Sequence, residues 1–278
     1  MENGKENVLK KAKSKALRKV KKINYQNPVV PKGYIHLEGT WRTGFVIQNQ
    51  EDGSEFVWIP VGFLDPDGTL DGKHFNKKFG RRKFKERNFS KQGYYEQLNY
   101  DLVKSVKKYG GFYFARYEAS EDHGRPVFKK GNTPWVYVEY YEAAVVCADY
   151  AKSSNSVNSC LTTGAAFDSV VSWILKSGAK TEDEVIKDSN SWGNFPEKTG
   201  KKEIMPTGSK KKWSVLRIYD LAGNAEEWTS EESNDGFVQR GGCYLSEDYD
   251  MTYVAERGGT EPGCCCGDVG FRAILYLK

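Results

Sequence analysis

Methionine and histidine are scarce in these 278 residues, three of each, and no run of 18 apolar residues occurs. Without such a run, no membrane-spanning helix is expected. His36, His74 and His123 are scattered and offer neither a catalytic triad nor a metal-ligating spacing. No glycine-rich phosphate loop follows a strand, so nucleotide binding has no support. The N-terminus is basic but lacks the apolar core and small-residue cleavage site of a secretory signal, which leaves a cytoplasmic or virion-associated location open. The cysteines, Cys147, Cys160, Cys243, Cys264, Cys265 and Cys266, include no Cys-x-x-Cys pair of the kind a zinc site uses. A disulfide framework needs spaced partners, and neighbours in a Cys-Cys-Cys run pair poorly, so reduced thiols are expected.

Glycine and aromatics are abundant: 28 Gly, 17 Tyr and 7 Trp. That balance suits a loop-rich α+β protein better than a helical bundle. The net charge of +5 misleads about the bulk of the chain. Residues 1–25 carry nine Lys/Arg against Glu2 and Glu6, which leaves the remainder at −2. Nucleic-acid binding by the main domain is therefore not expected.

Residues 1–28 form a basic N-terminal segment, with Val8, Leu9, Ala12, Ala16, Leu17 and Val20 at roughly helical spacing. A polyanion contact, a membrane-surface contact, a tether to an assembly and a solvated leader all remain open. Residues 29–278 form the main domain. Glu55–Pro60 reads as a buried strand stopped by proline. Residues 62–93 read as a solvated insertion, with Lys77–Lys85 interleaving basic residues and phenylalanine. Helices are expected over Tyr95–Tyr109, ended by Gly110-Gly111, over Tyr140 to about Lys152, and over about Ala165–Lys176. Phe112–Glu118 reads as a strand, and everything after Trp213 as strand and loop.

Several motifs then fall in one order: Phe56-Val57-Trp58-Ile59-Pro60, Gly111 to Glu118, Thr133-Pro134 through Tyr150, Leu161 to Phe167, Tyr219-Asp220-Leu221-Ala222-Gly223-Asn224-Ala225-Glu226-Glu227-Trp228, Arg240-Gly241-Gly242, and Gly270-Phe271-Arg272. Together they resemble the formylglycine-generating-enzyme (sulfatase-modifying-factor) family, which implies a C-type-lectin-like fold. The Leu161–Phe167 segment lacks the proline and glutamate of the family's pattern. Trp228 is expected in the core with its indole N–H on a carbonyl, and Arg272 on a buried carboxylate or carbonyls.

The family's two copper-binding cysteine positions fall on Ser246 and Met251, so the resemblance in this strand does not carry the enzyme's chemistry. No catalytic residue and no redox cofactor are assigned. A copper-dependent oxidase with relocated thiols stays as the alternative. The resemblance also implies a structural Ca²⁺ at Asp220 and Glu227 by side chain and at Gly223 and Ala225 by carbonyl. The same residues would equally serve as a capped turn.

Segment 240–272 has fixed ends around an eccentric middle, which resembles the variable proteins of diversity-generating retroelements. Adenine-directed change of asparagine codons yields Cys, Gly, Asp, Tyr, Ser and Thr. Ser246, Asp248, Tyr249, Asp250, Cys264, Cys265, Cys266, Gly267 and Asp268 belong to that set, whereas Glu247, Met251, Glu256 and Glu261 do not. The resemblance implies a non-enzymatic protein of a phage, prophage or bacterium, binding a protein or cell-surface ligand through residues 243–268. The ligand-facing residues would be Tyr244, Ser246, Asp248, Tyr249, Asp250, Cys264, Cys265, Cys266 and Asp268. An oligomer and a scaffold role tethered through residues 1–26 remain open.

Overall fold

The computed structural model describes residues 25–64, 79, 93–247 and 252–278. Its strands, in chain order, are β1 (Tyr34–Glu38), β2 (Val46–Asn49), β3 (Glu55–Ile59), β4 (Phe112–Ala115), β5 (Ser120–Asp122), β6 (Arg125–Val127), β7 (Val157–Leu161), β8 (Ser214–Val215), β9 (Ile218–Tyr219), β10 (Glu226–Ser233), β11 (Gly236–Arg240), β12 (Arg257–Thr260), β13 (Val269–Phe271) and β14 (Ala273–Leu277). The α-helices among the described residues are α1 (Tyr100–Tyr109), α2 (Tyr140–Tyr150), α3 (Gly164–Ser177), α4 (Glu182–Ile186) and α5 (Pro196–Thr199). No helix among them is long and apolar enough to cross a membrane. The architecture is the α+β, loop-rich, C-type-lectin-like fold, with few helices and many short strands.

Two sheets organise it. The larger runs β1-β2-β3-β4-β14-β7 and the smaller β12-β11-β10-β13. The larger sheet is antiparallel, so its strands alternate sides, yet both sides are covered. Val57, Ile59, Phe112, Phe114 and Ile274 face one core with Phe167, Val170, Val171 and Ile174 of α3. Phe56, Trp58, Tyr113, Ala115 and Leu275 face a second core with Tyr140, Ala143 and Cys147 of α2. Burial on both faces explains why Phe56-Val57-Trp58-Ile59 is a continuous apolar run rather than an alternating one.

Helix boundaries follow their caps. α1 begins five residues later than the periodicity suggests. The side chain of Asn99 accepts from the Asp101 and Leu102 N–H groups, while Tyr95 is drawn into a bridge with Glu232. Its end is as expected, with Gly110 in the left-handed region at φ 81°. α3 opens on Thr163, whose side chain accepts from Ala166 N–H. Glu96 reaches across to accept from Gly164 and Ala165 N–H at 2.8 and 2.9 Å. A carboxylate at a helix N-terminus is favourable. Residue 164 itself has no room for a side chain, since a Cβ there would lie 2.5 Å from Glu231 Oε2. Of the 62–93 segment, Phe79 is fully buried against Phe112, ring centroids 5.5 Å apart. At that residue the expectation of a solvated loop is corrected, because an aromatic ring gains more in the core than in water. The expected N-terminal helix and the rest of the basic run lie outside the described residues.

Four buried charges tie the smaller sheet to α3. Arg240 Nη1 meets Asp168 Oδ1 at 2.9 Å, and Arg257 Nη2 meets Asp168 Oδ2. Arg257 Nε meets Glu231 Oε2 at 3.1 Å, and Arg240 Nη1 lies 3.8 Å from the same oxygen. All four side chains are at most 1% exposed. Arg240 also donates from Nε to Glu256 O at 2.7 Å and lies over the Phe167 ring. Two cations and two anions balance, which is the condition for burying charge at tolerable cost.

Candidate binding face

β11 leaves the smaller sheet through Gly241 and Gly242, at φ 99° and 70°, values that glycine adopts freely. The next residues close a turn on themselves. Ser246 N–H donates to Cys243 O, and Cys243 N–H donates to Ser246 Oγ, both at 3.1 Å. Tyr244 N–H donates to Asn224 O and so fixes the turn to the loop before β10. Ser246 is 4% exposed. Of the residues assigned to ligand contact, it is therefore one that points inward. Tyr244 and Asp268 are half-buried at the rim. Asp248, Tyr249 and Asp250 lie outside the described residues, as does Met251.

The 261–268 loop forms the other side. Cys264 and Cys266 are joined by a disulfide, Cα atoms 5.8 Å apart. This corrects the expectation of free thiols throughout. A turn closed by Cys264 N–H on Glu261 O brings alternate residues to one side, so i and i+2 meet where direct neighbours would not. Cys265 between them is free and exposed, its Sγ 3.9 Å from Glu139 Oε1. Tyr137 N–H donates to Cys266 O and Tyr140 N–H to Pro262 O, each at 3.1 Å, holding the loop against the chain that leads into α2.

That support brings in residues the sequence reading missed. Tyr137 is 72% exposed and sits at φ 58°. A bulky residue in the left-handed region marks a position held by its surroundings. Here Tyr137 Oη lies 2.6 Å from where a Cβ on Gly267 would be. Tyr141 and Leu245 are exposed as well. The doublet Tyr140-Tyr141 at a helix start was the available signal, since Tyr140 stacks on Phe237 while Tyr141 meets the same ring by its edge and stays exposed.

Behind the turn lie acidic groups. Glu226 is buried, and its carboxyl is pushed up to about 8, first by burial, then by Asp268 and Glu256. Burial pushes the Cys243 thiol up to about 12, so it stays protonated; its Sγ–H donates to Asp268 Oδ2 at 3.4 Å. Burial also raises Glu96 and Glu256 to about 7 each. A carboxyl whose pKa is raised on folding binds extra protons in the native state. Between the unfolded value and the raised one, stability therefore falls as pH rises. Thermal unfolding should shift upward on moving from pH 8 to pH 5.5, by an amount equivalent to about 1–2 kcal/mol for groups of this kind. A midpoint that rises with pH across that window would contradict this assignment.

Asp220 and Glu227 sit one layer deeper, each 1% exposed. Asp220 Oδ2 accepts from Gly208 N–H at 2.6 Å. Glu227 Oε1 accepts from Arg272 Nε at 2.6 Å, and Arg272 also donates to Ala115 O and Tyr219 O. Glu118, fully buried, accepts from Asn224 Nδ2 and Ala225 N–H. Gly223 N–H donates to Gly241 O. Burial raises Asp220 to about 6 and Glu227 to about 7, and Arg272 opposes both shifts. Asp220 Oδ1 and Glu227 Oε2 are buried without a hydrogen-bond partner. Among the described residues, no three His, Cys, Asp or Glu side chains gather to hold a metal ion. Arg272 supplies the positive charge at Glu227, and the unpartnered Asp220 Oδ1 and Glu227 Oε2 are the oxygens a Ca²⁺ at these residues would take up. Trp228 Nε1 donates to Val138 O at 3.0 Å, the partner expected of a buried indole.

Among solved structures, the chain is similar to Treponema denticola variable protein 1, at 18% identity and a TM-score of 0.43, covering 60% of this chain and 85% of that one. It is also similar to PvdO from Pseudomonas aeruginosa, at 14% identity and a TM-score of 0.45, covering 84% of this chain and 98% of that one. No curated protein matches. Residues 46–277 match the sulfatase-modifying factor enzyme 1-like domain. That match spans both sheets except β1, and every motif from the Trp58 strand to Arg272, and the chain belongs to the sulfatase-modifying factor enzyme 1-like family.

Proposed function

We propose that this protein is a non-enzymatic ligand- or receptor-binding module, the variable protein of a diversity-generating retroelement of a phage, prophage or bacterium. It binds through the face formed by residues 243–268. The observation that carries the reading is the exchange at Ser246: where the family has a metal-binding thiol, a hydroxyl is turned inward to hold the Cys243 backbone. Around it the rim is the half-buried Tyr244 and Asp268 and the exposed Cys265, with Tyr137 and Tyr141 supplied by the scaffold. Tyrosine and small polar side chains give contact area at low entropy cost. Ser246 then acts as a support for the face rather than a contact.

The test is genetic. Deep sequencing of this gene across a population should show substitutions concentrated at adenines in the codons for residues 244–250 and 264–268, beside a near-repeat and a reverse transcriptase. Substitutions spread evenly over all four bases and the whole gene would rule out the retroelement reading. Family membership favours a second reading, a copper-dependent oxidase with relocated thiols. Against it stand Ser246 and Met251 at the family's two thiol positions and the pairing of Cys264 with Cys266. Stoichiometric tight Cu(I) binding by the purified chain would reinstate it.

A further inference from the structure

We propose that the cavity between α1 and the C-terminal end of β14 binds a small phosphate ester, held by its phosphate group. The cavity has a volume of about 290 Å³ and is lined by α1, by Asn158 of β7, and by Leu277 and Lys278. None of these residues belongs to the 243–268 face, so the inference stands apart from the binding reading above. Its starting point is Ser105, which lines the cavity and is 4% exposed, its Oγ buried without a hydrogen-bond partner. Buried hydroxyls are ordinarily satisfied. In α3 the buried serines are: Ser169 Oγ donates to Ala165 O at 2.7 Å and Ser172 Oγ to Asp168 O at 2.6 Å, each four residues back. Ser105 makes no such bond to Asp101 O, and its hydroxyl stays free for a guest.

The surrounding charge names the guest. Asp101, Lys104, Ser105 and Lys108 are spaced i, i+3, i+4 and i+7, which sets them along one side of α1. Leu102 and Val106 turn the adjacent side into the core with Ile274 and Tyr276, so the stripe lies beside the β7 edge of the larger sheet. Lys104 and Lys108 are exposed and form no ion pair among the described residues. Like charges one turn apart repel, and an anion between them removes the repulsion. Lys278 adds a third ammonium, which donates to Ser154 O. Three lysines against one carboxylate, Asp101, favour an anion in the cavity. Asn158 pairs with Tyr276 across the β7–β14 ladder and brings an amide to the same cavity. Ammonium, hydroxyl and amide donors thus come from three elements. A carboxylate offers them two oxygens, a phosphate monoester three. Lysine serves phosphate as a point charge, without the fork of arginine. Small-molecule sites span about 300–1,000 Å³, and a volume at the bottom of that range suits a small ester rather than a nucleotide.

The test titrates the full chain, isotope-labelled for NMR, with glycerol 3-phosphate and with inorganic phosphate, against sodium chloride at equal ionic strength. Both phosphates should shift the Ser105, Lys108 and Asn158 resonances saturably at millimolar concentration, and chloride should not. Ser105→Ala should weaken binding about tenfold, the scale of one hydrogen bond to a charged group. That variant removes an unsatisfied buried hydroxyl and adds a better helix former, so it should melt no lower than the parent. Lost binding is thereby separated from lost folding. Lys104→Gln should weaken binding by up to about fivefold, the range of an exposed ion pair, and Asp101→Asn should tighten it. Shifts that chloride reproduces would mean solvated lysines and no site. Parent affinity in Ser105→Ala would mean a diffuse charged surface in place of the cavity. Either result overturns the proposal. Phosphatidylcholine vesicles containing phosphatidate carry the same phosphate chemistry on a lipid. Cosedimentation with them, lost in Lys104→Gln and unaccompanied by binding of the free ester, would overturn the small-molecule assignment.

Discussion

Replacing Asp168 with alanine should cost about 3–5 kcal/mol, the penalty for leaving one half of a buried charge network unmatched. Asp168 holds both Arg240 and Arg257, so its loss leaves two guanidinium groups facing Glu231 alone. For a chain of this size that corresponds to a fall in melting temperature on the order of 10 °C. Urea unfolding of the full chain would measure it. The decisive comparison is the double variant Asp168→Leu with Arg257→Met. It retains one cation, Arg240, against one anion, Glu231, and fills the vacated volume with apolar atoms. It should recover much of the loss, because a matched apolar replacement of a buried pair is often neutral or better. Asp168→Ala within 1 kcal/mol of the parent would show that the network is solvated or dispensable. A double variant as unstable as the two single losses added together would show that the two residues act independently, and the imbalance account would fail.

Arg272→Met should be at least as damaging. Arg272 is fully buried, ion-paired to Glu227 and hydrogen-bonded to two carbonyls on different elements, Ala115 O and Tyr219 O. Removing it leaves Glu118 and Asp220 without the charge that opposes theirs and Glu227 with Arg240 alone, at about 3–5 kcal/mol. The deficit should depend on pH with a defined sign. The three carboxyls are already raised by burial, and without the guanidinium they rise further. Protonation below about pH 6 removes the unmatched charge. The gap between variant and parent should therefore narrow on acidification from pH 8 to pH 5.5. Arg272→Lys should recover only part of the loss, since an ammonium supplies the charge but not the fork that spans carboxylate and carbonyls together. A deficit that does not vary with pH would mean that Arg272 acts through packing alone.

Much of this scaffold was legible in the sequence, and the reason differs from element to element. Trp228 and Arg272 were placed correctly because their polar atoms demand partners wherever they are buried. α2 and α3 carried a clear helical period, and β3 a proline stop. The start of α1 was misplaced because Leu98 continues the apolar stripe, although Asn99 with Asp101 was the cap to read. α4 was missed despite its signature: the Thr181 side chain accepts from Glu184 N–H while the Glu184 side chain accepts from Thr181 N–H, a capping box. α5 likewise opens on Pro196 and ends at Gly200.

The site was less accessible. Asp168, Glu231, Arg240 and Arg257 come from four elements, and no local pattern signals that they meet. Ser246 was placed on the face by its position in a motif, yet its direction depends on the Cys243 turn. The Cys264–Cys266 bond was missed because a run of cysteines was treated as neighbours along a line rather than as residues around a bend. Tyr137 required the backbone, since nothing in Val136-Tyr137-Val138 announces a positive φ.

The position of β14 has a consequence for synthesis. Ala273–Leu277 pairs on one side with β4 and on the other with the edge strand β7, inside the larger sheet rather than at its edge. A ribosome making this chain delivers that strand only after all of segment 240–272 has been translated. Until then β4 and β7 lack a shared neighbour, and both cores stay open along one seam. A frameshift or stop codon anywhere in the preceding segment therefore removes the strand that closes the sheet. The sheet closes only for messages read through this segment in frame, so that quality control is built into the order of the strands.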